Sequence, residues 1–206
     1  MIENVSSSQR YKITFVLIGL NVAFYLYTSF AGENFLITQY TYNTSQLAQY
    51  NADVFAGAYY QLFTAMFIHS GIVHLAGNML FLLIFGLRGE EMFSLPEYLG
   101  IYILGGLAGN VLSLAWGPNL FSVGASGAVF AMFGACAIYA RRSIGQSIVG
   151  ALVFGFFLLI ISSSENTNYL AHIGGLAAGL AIGYFFARRS KPNVGYQIRY
   201  SYTTPF

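Results

Sequence analysis

The fold is decided by residues 171–183, which read AHIGGLAAGLAIG. This stretch is uncharged and apolar apart from His172, and a small residue recurs in it at every fourth position. Residues four apart share one face of a helix, and small residues on that face let two helices approach closely in lipid. The small residues are Ala171, Gly175, Gly179 and Gly183. They predict a tightly packed membrane helix with an imidazole beside its contact face.

The rest of the chain has the composition of a membrane protein. Of its 206 residues, 56% are hydrophobic and 8% are charged, whereas about a quarter are charged in soluble domains. The net charge of +2 is too small to indicate nucleic-acid binding. The single cysteine, Cys136, excludes an internal disulfide and lies in an apolar run, where we expect it to pack.

Six apolar runs are long enough to cross a hydrocarbon core, which takes roughly 20 residues per helix. Their hydrophobicity is continuous rather than alternating, which favours helices over a β-barrel. The runs are Ile13 to Phe30, Leu62 to Leu87, Tyr98 to Trp116, Val123 to Ala140, Ile144 to Ser162 and Tyr169 to Phe186. We therefore predict an all-α membrane protein, with one six-transmembrane-helix domain over residues 13–189 between an N-terminal segment, 1–12, and a tail, 190–206.

The basic residues all fall on one side of such a bundle. They precede the first span or follow the second, fourth and sixth, whereas the other side holds the acids Glu33, Asp53 and Glu165. The basic residues are Arg10, Lys12, Arg88, Arg141, Arg142, Arg188, Arg189, Lys191 and Arg199. By the positive-inside rule, both termini are predicted to be cytoplasmic, in a multi-pass protein of the cell membrane.

Three polar side chains on separate spans are predicted to lie at one depth. His74, Ser126 and His172 precede the next arginine of their spans by 14 to 16 residues, or roughly 21 to 24 Å of helix. Polar and ionisable groups inside a membrane usually have a functional role. Ser126 adjoins Gly127, which begins a second stripe of small residues. We expect the fourth and sixth helices to touch there, so that Ser126 hydrogen-bonds to His172.

Such a pair has the chemistry of acyl transfer. A serine hydroxyl is a weak nucleophile until a base takes its proton, and a neutral imidazole is suited to that task. Since no acidic residue lies in the outer half of any predicted helix, Ser126 and His172 would form a dyad. His74 and Asn78 share a helix face, and the start of the fourth helix, near Gly124, offers free N–H groups; all are candidate donors to an oxyanion.

These residues resemble the motifs of the rhomboid family. Residues 124–130, GASGAVF, with Gly134, look like its GxSG helix, and residues 171–175, with Gly179, look like its AHxxGxxxG helix. The remaining matches are His69, His74 and Asn78, to an H-x4-H-x3-N arrangement, and Gly86 and Glu90, to a G-x3-E pair. The resemblance covers the second to sixth predicted helices in order.

The resemblance implies an intramembrane serine protease of the minimal six-helix prokaryotic type, which forms an acyl-enzyme. Ser126 would be the nucleophile and His172 the general base. His74, Asn78 and the Ser126 backbone N–H would bind the oxyanion, with Gly124 shaping the turn. Supporting positions would be Phe130, which packs on His172, and Gly127, Gly175, Gly179, His69 and Glu90. Substrates would be transmembrane segments of other proteins, no metal or cofactor is implied, and the site would open outward beneath the loop 163–168.

Two positions depart from the family pattern. Phe130 stands where many relatives have tyrosine, so stacking on the histidine is expected without a hydroxyl contact. Tyr60-Gln61 stands where many have Trp-Arg, so arginine-mediated bracing of the first outer loop is not expected.

Three other interpretations remain open. A small transporter or channel would use the same polar residues to line a path, but would place such groups on both sides of the midplane. A metalloprotease would use the three histidines, although His69 and His74 are five apart, which on one helix puts them on different faces. A catalytically inactive rhomboid relative would bind client helices without cutting them.

Overall fold

The computed structural model describes residues 12–30, 42–144 and 167–189, together with the helical positions Gly150 and Val153. In chain order the helices are α1 (Lys12–Phe30), α2 (Tyr42–Leu47), α3 (Asn51–Phe55), α4 (Gln61–Thr64), α5 (Ile72–Met92), α6 (Leu95–Ser113), α7 (Ser126–Ile144) and α8 (Tyr169–Arg189). Turns of 3₁₀ helix cover Ala65–Phe67 and Leu114–Trp116. Within this part of the chain, four helices are long and apolar enough to cross a membrane, namely α1, α5, α6 and α8. The molecule is a mostly helical, multi-pass membrane protein.

Helix α7 occupies the centre of the bundle, where it packs against α5, α6 and α8. Every residue from Gly127 to Cys136 is buried. The residues of this stretch are small or apolar, so neighbouring helices can cover it on several sides without burying an unpaired polar group. Cys136 lies in the apolar core, as predicted.

The predicted small-residue stripe of α8 lies directly against α7. A Cβ atom added at Gly175 would overlap the backbone of Gly127, and one at Gly179 would overlap the backbone of Ala131. At Gly183 it would lie 2.6 Å from Ala135 Cα. The stripes therefore pair residue by residue, and both run in the direction of increasing residue number, so α7 and α8 are parallel.

The prediction of one continuous helix from Leu62 to Leu87 is wrong. After α4 and the 3₁₀ turn, the chain becomes extended at Ile68, and α5 begins only at Ile72. Met66 and Ile68 are 1% and 0% exposed, so the hydrophobicity before the break reflects burial inside the protein rather than contact with lipid. Hydropathy alone does not distinguish these two environments.

Two other helix boundaries differ from the prediction. Helix α6 begins at Leu95 instead of Tyr98, because Ser94 and Glu97 form a reciprocal capping box at its start. Helix α7 begins at Ser126 instead of Val123, because Gly124 adopts φ +123°, which no helical residue has.

The all-α class needs one small amendment. Strand β1 (Gln49–Tyr50) pairs antiparallel with strand β2 (Phe121–Ser122), with Gln49 opposite Ser122. Strands of two residues are too short to produce a periodic pattern, so they could not be predicted from the sequence. They join the segment after α1 to the turn that precedes α7.

The remaining predicted segments meet the described residues only in part. The spans predicted at Ile13–Phe30 and Tyr169–Phe186 correspond to α1 and α8. Most of the span predicted at 144–162, the loop 163–168 before Thr167, the segment before Lys12 and the tail 190–206 lie outside the described residues.

Candidate active site

Ser126 and His172 meet at the N-terminal ends of two parallel helices. Ser126 is the first residue of α7 and His172 the fourth residue of α8. Ser126 Oγ and His172 Nε2 are 2.9 Å apart, so the expected hydrogen bond is present. His172 is 5% exposed, and its Nδ1 has no hydrogen-bond partner among the described residues. Among the described residues, the hydrogen-bonded group therefore consists of two side chains, Ser126 and His172.

Close backbone packing holds this pair together. A Cβ atom added at Gly127, next to Ser126, would lie 3.3 Å from the carbonyl oxygen of Ala171, next to His172. A Cβ atom added at Gly109 of α6 would also contact the Ala171 carbonyl group. Three helices thus converge on one carbonyl group, and the absence of side chains at the two glycines sets the distance between serine and histidine.

Phe130 fixes the plane of the imidazole ring. It lies four residues after Ser126, on the same face of α7, and its ring centroid is 4.6 Å from that of His172 with 27° between the planes. The ring is 5% exposed. As expected for phenylalanine in the place of tyrosine, the ring stacks on the imidazole and makes no hydroxyl contact.

His74 and Asn78 face the turn that leads into Ser126. A Cβ atom added at Gly124 would lie 2.9 Å from His74 Nε2 and 3.7 Å from Asn78 Nδ2. Glycine is required at this turn both for its positive φ and for this close approach. Asn78 Nδ2 also donates to the His74 carbonyl oxygen at 3.0 Å. Ser126 begins α7, and the first N–H groups of a helix have no intrahelical acceptor.

The sequence interpretation missed Ser70, whose Oγ lies 3.0 Å from His74 Nδ1. With the hydroxyl donating to Nδ1, the imidazole proton resides on Nε2, the atom that faces Gly124. The i, i+4 spacing of Ser70 and His74 was visible in the sequence, but the predicted helix was continuous there and gave the serine no special role.

His69 lies in the break before α5, and the prediction that it faces away from His74 is wrong. Its side chain is fully buried, and the two imidazole centroids are 5.3 Å apart in an edge-to-face arrangement. By geometry, neither ring nitrogen of His69 has a hydrogen-bond partner among the described residues. Among the residues described, no group of three or more histidine, cysteine or acidic side chains is arranged to hold a metal ion.

Gly86 and Glu90 lie at the other end of α5, away from the serine. The backbone N–H of Thr14 donates to Glu90 Oε1 at 2.8 Å. A Cβ atom at Gly86 would be 2.6 Å from Tyr98 Oη and 2.8 Å from the Thr14 side chain. This pair joins α1, α5 and α6 and contributes to the fold rather than to the site.

Gln61 braces the segment 50–61 in place of the missing arginine. It is 2% exposed, its Oε1 accepts the Tyr50 N–H at 3.0 Å, and its Nε2 donates to Asp53 Oδ2 at 3.3 Å. Tyr60 is 52% exposed. A neutral amide therefore supplies the bracing that was not expected from the sequence.

Apolar helices long enough to span a membrane, together with a hydrogen-bonded serine–histidine pair, define a membrane-embedded protein. Residues 56–189 match the family model of the rhomboid domain. The chain belongs to the rhomboid family, whose members are generally intramembrane serine proteases.

Relatives in plants and bacteria agree with this assignment. The chain is 35% identical over 131 residues to RHOMBOID-like protein 6, mitochondrial, of Arabidopsis thaliana, covering 61% of this chain and 43% of the relative. It is 27% identical over 187 residues to the putative rhomboid protease YdcA of Bacillus subtilis, covering 87% and 90%. It is 34% identical over 148 residues to rhomboid protease GluP of the same organism, covering 68% and 27%. The chain thus spans less than half of the Arabidopsis protein and of GluP, and most of YdcA.

Proposed function

We propose that this chain is an intramembrane serine endopeptidase in which Ser126 is the nucleophile and His172 the general base. The observation that carries the proposal is the 2.9 Å hydrogen bond between Ser126 Oγ and His172 Nε2 inside an apolar bundle. A hydroxyl becomes a useful nucleophile when a base within hydrogen-bond reach takes its proton as the attack proceeds.

The reaction would proceed in two halves. Ser126 Oγ attacks the scissile carbonyl carbon while His172 Nε2 takes the hydroxyl proton. The tetrahedral intermediate collapses when His172 gives this proton to the leaving amine, which leaves the acyl group on Ser126 as an ester. Water then attacks the ester while His172 takes a proton from it. The bond between the acyl carbon and Ser126 Oγ breaks, and His172 gives the proton to the departing oxygen, which restores the serine hydroxyl and releases the carboxylic acid product.

The oxyanion would be bound beside Gly124. His74 Nε2 and Asn78 Nδ2 both lie near this turn, and the Ser126 N–H belongs to the free N-terminal turn of α7. Fixed donors in a site that excludes water stabilise a developing charge without reorganising during the reaction. Gly124 would make room for the substrate oxygen, since any side chain there would fill the space beside the two nitrogens.

His172 would work without an acidic partner. In the described residues, its orientation comes from stacking on Phe130 and from the close helix contact at Ala171. Burial in an apolar site favours the neutral imidazole, which is the form that accepts a proton. The dyad therefore relies on packing for the alignment that a carboxylate provides in a triad.

Six helices are the best account of the topology. Because α7 and α8 are parallel, we infer one further crossing of the bilayer between Ile144 and Tyr169, for which the apolar run predicted at 144–162 is long enough. With the basic residues on the cytoplasmic side, both termini are cytoplasmic and the dyad opens to the extracytoplasmic side of the cell membrane. Residues 13–189 would form the protease domain, whose substrates are transmembrane segments of other proteins.

Active-site labelling tests the chemistry. We expect a fluorophosphonate probe to label the wild-type protein in detergent or liposomes, and Ser126→Ala and His172→Ala to abolish both labelling and cleavage of a transmembrane substrate. Ser94→Ala, which changes an exposed serine outside the site, is the matched control; it removes the cap of α6 and should lower stability by about 1 kcal/mol, but per folded molecule it should react like the wild type. Labelling that persists in Ser126→Ala would rule out the nucleophile. A folded wild type that binds such a substrate but neither reacts with the probe nor cleaves would identify an inactive relative.

A further inference from the structure

One amide side chain, that of Asn168, joins the segments that carry Ser126 and His172. Asn168 is half-buried immediately before α8. Its Oδ1 accepts the backbone N–H of Ala171 at 3.1 Å, and its Nδ2 donates to Ser113 Oγ at 2.7 Å and to Ser122 Oγ at 2.8 Å. The acceptor and both donor hydrogens of the amide thus reach three different segments.

The bond to Ala171 makes Asn168 the N-cap of α8. Asparagine is among the best N-cap residues, because its side-chain oxygen satisfies a free N–H of the first turn. His172 follows in the same turn, and its own N–H lies 3.4 Å from the Asn168 carbonyl oxygen. The start of the helix that carries the imidazole is therefore fixed at Asn168.

The two serines that accept hydrogen bonds from the Asn168 amide are themselves buried and held in place. Ser113, at the end of α6, is fully buried; its Oγ donates to the Gly109 carbonyl at 2.9 Å, and its own carbonyl accepts from Asn51 at 3.0 Å. Ser122 lies in β2, four residues before Ser126, and is 6% exposed.

The strand with Ser122 leads directly into the turn before Ser126. Two residues later, the Gly124 N–H donates to the Ala65 carbonyl oxygen at 2.9 Å. The short segment between the strand and the serine is thus held at both points, and its position relative to α8 depends on the bond from Asn168 to Ser122.

We propose that Asn168 is a positioning residue for the reaction between Ser126 and His172, an inference that rests on the proposed function. It touches neither reacting atom. Its side-chain amide is hydrogen-bonded both to Ser122, which precedes Ser126, and to the first turn of α8, which carries His172. It therefore sets the distance between these two segments. Reacting groups must be held within a fraction of an ångström, and a displacement of about 1 Å lowers rates about a hundred-fold.

Capping alone does not account for this arrangement. A cap requires only an acceptor, which serine also provides. The two N–H bonds, to Ser113 and Ser122, are additional and act across segments that are 55 and 46 residues away in the chain. Asn168→Ser therefore keeps the cap and removes the cross-link, which separates the two roles.

The test compares Asn168→Ser, Ser122→Ala and the double variant by fluorophosphonate labelling rate per folded molecule, by kcat and KM for a transmembrane substrate, and by Tm. We expect Asn168→Ser to lower the labelling rate and kcat about ten-fold or more, with KM within about two-fold. Since both single changes break the same bond, the double variant should fall no further than Asn168→Ser.

Asn21→Ala is the matched control. Asn21 is also a fully buried amide, which donates to the Leu17 carbonyl oxygen and to Tyr102 Oη and joins α1 to α6 away from the dyad. It should lower Tm and leave the labelling rate per folded molecule unchanged. If Asn168→Ser lowers Tm but labels like the wild type, or if the two changes multiply in the double variant, the positioning role is wrong. A wild type that does not label at all would instead contradict the proposed function.

Discussion

Gly175→Ala tests the idea that backbone contact between α7 and α8 sets the geometry of the dyad. The added Cβ atom would lie 2.8 Å from Gly127 C and 3.0 Å from Gly127 Cα, and nearer still to the Gly127 oxygen, whereas ordinary contacts are 3.4–4 Å. The clashing atoms are backbone and cannot rotate away. The two helices must therefore separate by about half an ångström or more, since packed interiors hold no spare volume.

Such a separation has two measurable consequences. Overpacking destabilises by about 1–3 kcal/mol, partly offset by the higher helix propensity of alanine, which is worth about 1 kcal/mol. We therefore expect a net loss of stability of up to about 2 kcal/mol. Because Gly127 adjoins Ser126 and Gly175 lies one turn after His172, the 2.9 Å hydrogen bond should lengthen beyond bonding distance. The labelling rate per folded molecule should fall about ten- to a hundred-fold.

Two further glycines supply the controls. A Cβ atom at Gly183 would also clash, at 2.6 Å from Ala135 Cα, but two turns further from the dyad. Gly183→Ala should thus lower Tm similarly and reduce reactivity less. At Gly77, in the interior of α5, nothing lies within 4 Å of an added Cβ atom, so Gly77→Ala should raise Tm slightly through the helix propensity of alanine and leave the labelling rate unchanged. Wild-type labelling by Gly175→Ala, or an equal loss of reactivity in Gly183→Ala, would refute the reasoning.

Three further predictions use the same assays. Asn78→Ala should lower kcat tens-fold or more, since loss of one oxyanion donor lowers rates about a hundred-fold or more. The control Leu80→Ala, on the exposed face of α5, should leave kcat unchanged. An unchanged kcat in Asn78→Ala would contradict the donor role. Gln61→Ala should lower the free energy of unfolding by about 1–3 kcal/mol, because the Tyr50 N–H loses its acceptor; equal chemical stability of variant and wild type would contradict the bracing role. Incubation with EDTA should leave cleavage intact, and activity lost to EDTA and restored by zinc would favour the metalloprotease interpretation.

Local patterns were enough to predict much of the site. Continuous hydrophobicity identified the helices, and the i, i+4 spacing of small residues identified the face on which α8 meets α7. The helix rise placed Ser126 and His172 at one depth, and the two side chains are in hydrogen-bond contact. Each of these inferences depends only on residues near one another in the chain.

The sequence by itself therefore determined the membrane class and predicted the pairing of Ser126 with His172, because hydropathy and helical periodicity are properties of short segments. Its local motifs were also enough for the resemblance to the rhomboid family. Only the tertiary structure decided the interruption of the helix before α5, the contact of His69 with His74 and the strand pair. The same holds for the hydrogen bonds made by the side-chain amides of Gln61 and Asn168. These features depend on which distant polar groups come within reach of one another. Asn168 and Ser113, for example, are 55 residues apart and joined at 2.7 Å. The sequence around a polar residue does not show which distant group it will hydrogen-bond.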